Sequence, residues 1–149
     1  MSELMILDEA VVPATFTIDE AEDAPATPHA AIPLQRWLDL HAAGDDLSTT
    51  GVILRGDSDV GPLQPHLDAL AFVAVHFPAF TDGRGYSHAR RLRELCGYTG
   101  TLLAYGDVLR DQLFYMARCG FNAFHLRADQ DPHACLAAFS LYSRPYQYD

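Results

Sequence analysis

The sequence predicts an α/β fold: a four-stranded parallel sheet built of βα units, behind an N-terminal hairpin or arm. Three observations lead there. From residue 51 onward, short and nearly continuous apolar runs recur four times, as in strands whose sheet is covered by helices. Each run gives way to a stretch with apolar residues at helical spacing. Glycines and prolines punctuate the joints. Strands that alternate with helices pair in parallel through right-handed crossovers.

The elements follow in order. Leu4–Leu7 and Val11–Ile18 flank Asp8-Glu9 and read as a hairpin or edge strand, an arm over residues 1–20. Residues 21–33 hold three prolines among five alanines with no period, and read as a linker. Residues 34–149 then form a single α/β domain. Leu34, Trp37, Leu38 and Leu40 recur at helical spacing, and Gly44 stops the pattern. Gly51–Arg55 is the first buried strand, followed by a weak helix through Leu63, Leu67 and Leu70. Ala71–His76, rich in β-branched and aromatic residues, is the strongest strand signal. In the next helix Ser87 is placed to N-cap, Ala89, Leu92, Leu95 and Cys96 share a face, and Gly97 suits the C′ position. Thr101–Tyr105 is the third strand. Asp107 stands where a cap would open a helix with Leu109, Leu113, Met116 and Ala117 on its stripe, ending at Gly120. Phe121–Leu126 is the fourth strand, and Pro132 suits the first position of a last helix reaching Leu141. Two architectures satisfy this order. One is a three-layer sandwich; the other is half of a (βα)8 barrel, whose uncovered concave face would favour a homodimer.

Composition excludes several function classes. A chain of 149 residues suits one domain. Ten basic against twenty acidic residues leave a formal charge of −10, which argues against general nucleic-acid binding. All ten bases are arginine, so Schiff-base chemistry and the Walker phosphate lysine are out of reach. The start has no basic n-region, so no secretory signal is expected. The longest aliphatic-rich run, Ala69–Val75, is seven residues, and no membrane span is expected. A spanning helix needs about 20. Cys96, Cys119 and Cys135 lack metal-ligand spacing and read as reduced thiols of a cytoplasmic protein.

Sites in parallel α/β folds form beyond the carboxyl ends of the strands. Those ends carry Arg55-Gly56-Asp57, His76-Phe77-Pro78, Tyr105-Gly106-Asp107 and His125-Leu126-Arg127. The most unusual segment, Asp82-Gly83-Arg84-Gly85-Tyr86-Ser87, is a Gly-rich turn feeding a helix. Its free N–H groups and the Arg84 fork suit an anion over Gly83–Ser87. The plainer reading has both glycines at positive φ, with Asp82 bracing the turn. Asp82 and Asp107 are the acid–base candidates; Asp107 is otherwise a cap, and Asp111 and Gln112 are further polar candidates one turn on. His76 and His125 are also polar candidates, but they match no local metal motif, and no metal is expected. Arg90, Arg91 and Arg93 with Glu94 form a charged face, either solvated or docking an acidic partner. The tail residues Tyr142, Tyr146 and Tyr148 with Arg144 and Pro145 are an aromatic set suited to a neighbour.

A resemblance emerges from Phe77-Pro78-Ala79-Phe80-Thr81-Asp82-Gly83-Arg84-Gly85-Tyr86-Ser87, Gly97-Tyr98-Thr99-Gly100, Gly106-Asp107-Val108-Leu109-Arg110-Asp111-Gln112 and Arg118-Cys119-Gly120-Phe121. Together they resemble the bacterial domain of unknown function 934 family, and Pro33-Leu34-Gln35-Arg36-Trp37-Leu38 extends the likeness over most of the chain. That family is described as probable oxidoreductases or proteins of sulfite reduction. The resemblance implies a cytoplasmic accessory or partner protein of assimilatory sulfite reductase, one that binds the reductase or delivers a small oxyanion. The alternative is a small enzyme binding an anionic substrate at the strand ends. No cofactor motif accompanies either.

Overall fold

Residues 4–79 and 83–143 are described in a computed structural model, with side chains up to Ala138. The N-terminal apolar runs form an antiparallel hairpin, β1 (Leu4–Leu7) and β2 (Ala10–Pro13), turned by Asp8 and Glu9 at φ 50 and 64. β3 (Thr17–Ile18) follows, then β4 (Ala30–Pro33). The stretch expected as a linker therefore carries a strand, whose Ala31 and Ile32 are fully buried. Its alanines are small because this strand faces a crowded interior, and small residues conceal a strand's signal. The four expected strands are β5 (Gly51–Leu54), β6 (Phe72–Phe77), β7 (Thr101–Gly106) and β8 (Ala123–His125).

All eight join one sheet, in the order β2-β1-β8-β7-β6-β5-β4-β3. β3 to β8 are parallel and lie in sequence order, while β1 is antiparallel to β8. The expected four-stranded parallel sheet is thus corrected to part of a larger mixed sheet.

That sheet is strongly curled, and chain length demands it. β2 and β3 are opposite edges, yet only residues 14–16 join them. Four Cα steps reach at most about 14 Å. A flat sheet of this many strands would hold its edges about 34 Å apart.

Among the described residues, helices cover the outer face only. They are α1 (Leu34–Ala42), α2 (Arg84–Arg90), α3 (Leu113–Cys119) and α4 (Pro132–Ser143). Trp37, Ala89, Met116 and Cys135 pack with Val52, Val73, Val75 and Leu102 in one core. The other core holds no described helical residue; it gathers Met5, Ala31, Ile53, Phe72, Ala74, Leu103, Tyr105 and Ala123 inside the curl. Helices on one face exclude the sandwich and leave the half barrel.

The expectation of a bare concave face is corrected too. Residues 14–18 cross it, with the Phe16 ring centroid 4.3 Å from that of Phe72. Leu7, Val12, Ala14, Phe16 and Ile18, all partly buried, pack against the core inside the curl.

Two helical segments depart from α geometry. Gly61–Ala69 is a 3-10 run, and Pro65 inside it has no N–H to donate. α2 widens into a π turn over Arg91–Leu95. From there Arg93 ties two loops together: Nε donates to the Gly120 carbonyl (2.9 Å) and a terminal nitrogen to those of Tyr98 (2.9 Å) and Gly100 (2.7 Å). Among the described residues, no helix is long and apolar enough to cross a membrane.

Candidate functional site

Side chains alternate across a strand, so every second residue of β5 to β8 points inside the curl. At the carboxyl ends this parity selects His76, Tyr105 and His125, which stand beside one another in register on three adjacent strands. Arg55, one step past the Leu54–Val75 pair, continues the same row onto β5. Below it lie Ile53, Ala74, Leu103 and Ala123. The interior is therefore layered: apolar within, polar at the mouth that barrels of this kind use for chemistry.

A fifth group completes the mouth. Glu20, just beyond β3, brings Oε1 to 2.7 Å from an Arg55 terminal nitrogen, and the Tyr105 hydroxyl donates to the same oxygen at 3.1 Å. Both partners of the ion pair are about half exposed, at 45% and 49%, so it contributes only about 0–1 kcal/mol. The other Arg55 terminal nitrogen approaches His76 Nδ1 at 3.4 Å. A guanidinium only donates, so Nδ1 accepts and the ring's proton sits on Nε2. The His76 and Tyr105 rings lie 5.2 Å apart.

Burial and the Arg55 guanidinium hold the His76 imidazole below its ordinary value, Glu20 pulling the other way. Burial, then the Glu20 carboxylate, push the Tyr105 phenol above its own. The mouth thus offers a fixed cation, a neutral imidazole and a protonated phenol. Beside it a cavity of about 220 Å³ opens between Glu20, Glu22, Pro33, Leu34, Ile53, Arg55 and Ser58.

The Gly-rich turn lies elsewhere. Asp82 falls outside the described residues. Gly83 has φ −79, not a positive value, and α2 begins at Arg84 without a side-chain cap. Ser87, expected as the N-cap, sits a turn inside, its hydroxyl 3.5 Å from the Gly83 carbonyl. Gly85 is glycine for close packing, because a Cβ there would come 2.8 Å from the Phe77 ring. Tyr86 packs against Phe77 and Tyr115, with ring centroids at 5.0 and 4.9 Å. These residues belong to the helix-covered face.

Asp107 is not a cap: its carboxylate takes Arg127 at 2.9 Å. Arg127 also forks onto both oxygens of Asp129, which holds that carboxyl down at about 2. Gln112 accepts from the Leu109 N–H at 3.0 Å and is the capping group. Asp111 is exposed beside a separate hollow lined by Asp129, Asp131 and Cys135. Of the expected site residues, only His76 and His125 share the mouth; Glu20, Arg55 and Tyr105 were not among them. Their signal was present, since each strand's apolar run ends on a polar residue of interior parity.

On the outer face, Arg90 lies 5.6 Å over the Tyr115 ring and donates to its hydroxyl at 3.2 Å; Arg118 lies 5.8 Å over Phe114. With exposed Arg84 and Arg91, these make a basic, aromatic seam between α2 and α3. The tail residues 144–149 and the Tyr142 side chain lie outside the described residues.

No curated protein matches the chain. The family described as "Bacterial protein of unknown function (DUF934)" matches residues 51–149, which span β5 to β8 with α2, α3 and α4. All four row residues and the whole α2–α3 seam fall inside that match, while Glu20 lies before it. The chain therefore belongs to the DUF934 family of bacterial proteins.

Proposed function

We propose that the protein is a cytoplasmic accessory protein of assimilatory sulfite reduction that binds a small oxyanion at the mouth of its half barrel. The observation that carries this reading is the row Arg55, His76, Tyr105 and His125 across four adjacent strand ends. An arginine fork and a phenol hydroxyl converging on one oxygen are a recognition unit for an anion. The sulfur pathway is what the family resemblance implies. The α2–α3 seam supports a protein partner such as sulfite reductase, because arginine stacked on tyrosine suits the centre of an interface and a basic patch on a chain of charge −10 suits an acidic one.

A second reading is a small enzyme acting on an anionic substrate in the same mouth. It is favoured by His76, held neutral as a base should be, beside the protonated Tyr105 as donor.

Thermal stability tests the shared core of both. Millimolar sulfite, sulfate or phosphate is expected to raise the melting temperature, since binding to the native state alone stabilises it. Arg55→Gln should abolish the rise and Arg84→Ala should keep it. A rise lost with Arg84 and kept without Arg55 would move the site to the Gly-rich turn and end this proposal.

A further inference from the structure

The mouth already holds an oxyanion, and it is the protein's own. We infer that Glu20 is a resident competitor: its carboxylate occupies the Arg55–Tyr105 clamp until a small oxyanion displaces it. This rests on the anion-binding reading above.

Geometry supports displacement over a fixed plug. Arg55 and the Tyr105 hydroxyl both close on one Glu20 oxygen, at 2.7 and 3.1 Å. The partners of this ion pair are about half exposed, so water already competes for the contact. The segment bearing Glu20 is anchored on both sides. Asp19 donates its N–H to the Ala31 carbonyl at 2.9 Å, and Arg36 Nε donates to the carbonyl of buried Ala24 at 2.8 Å. Glu20 therefore leaves by side-chain rotation, without unpairing β3. The departing carboxylate lines the same cavity of about 220 Å³ that an incoming molecule of a few carbon atoms would fill. A clamp occupied most of the time by an internal group shows an apparent affinity reduced by its free fraction.

The shared chemistry is a small oxyanion, carried by a carboxylate or by a sulfur oxyanion. Calorimetric titration of the full chain with acetate, succinate and sulfite separates these sources. Glu20→Gln is expected to tighten at least one of the three threefold or more, and Glu20→Gln combined with Arg55→Gln to abolish it. Asp23→Asn removes one negative charge from the same segment without touching the clamp, and should change affinity less than twofold. Equal affinity in wild type and Glu20→Gln, lost with Arg55, would overturn the competitor while leaving the anion site standing. Tightening by Asp23→Asn as large as that by Glu20→Gln would also overturn it, as an effect of net charge. No binding by any folded form would overturn both. Should Glu20→Gln fail to fold, Glu20→Asp serves instead: its shorter reach opens the clamp with charge retained, and unchanged affinity there counts against the proposal.

Discussion

His76 sits between a cation and a phenol, and burial first, then the Arg55 guanidinium, holds its imidazole below the ordinary value. Its folded value lies below the unfolded one, so the unfolded chain takes up a proton first as pH falls. The stability that neutral His76 leaves intact is present above the unfolded value, about 6.5, and is lost as pH drops below it. Removing the imidazole should remove that loss. In His76→Gln the melting temperature is expected to fall less between pH 7 and pH 5 than in wild type, as read by circular dichroism; an identical slope would show that His76 does not titrate with folding. At this scale the sequence showed the residues and hid their company. Gly83-Arg84-Gly85 is conspicuous because its three residues are consecutive in the chain. The row from Arg55 to His125 becomes visible only when four strand ends are set in register, and Glu20 only when the chain is seen to cross the curl.

Elements were legible where burial is two-sided. β5, β6 and β7 are apolar runs covered by helices outside and by the second core inside, and each was found within a residue or two. β3 has two residues and β4 reads Ala-Ala-Ile-Pro, so neither presents a pattern before the sheet exists. Gly85 illustrates how an element's docking dictates a residue that looks functional. α2 approaches β6 so closely that a methyl group would press on the Phe77 ring, with Val75 Cγ1 next at 3.3 Å. Gly85→Ala is accordingly expected to destabilise the fold by about 1–3 kcal/mol, the usual result of overpacking. Urea unfolding measures it, and anion binding at the mouth should be unchanged. A variant of full stability that no longer binds anion would return function to the turn.

For the whole molecule, strand and helix order alone admits both a sandwich and a half barrel. The decision came from two features with a length scale. Residues 14–16 are too short to span a flat sheet, and the second core holds no described helical residue. The same crossing packs Phe16 on Phe72 inside the curl and brings Glu20 to the mouth, so the N-terminal segment is part of the barrel and of its site. Curling places the interior-facing polar residues of four strands around one opening, while the arginines of α2 and α3 face outward. The molecule is thereby divided between an oxyanion mouth and a basic seam suited to a partner.

The most direct measurement follows the ring C–H resonances of His76 by NMR while sulfite or acetate is added. Saturable movement of the His76 signals, absent in Arg55→Gln, is the result expected of an oxyanion held at the mouth. Signals of His76 that stay fixed while backbone amides of residues 83–87 move would contradict it.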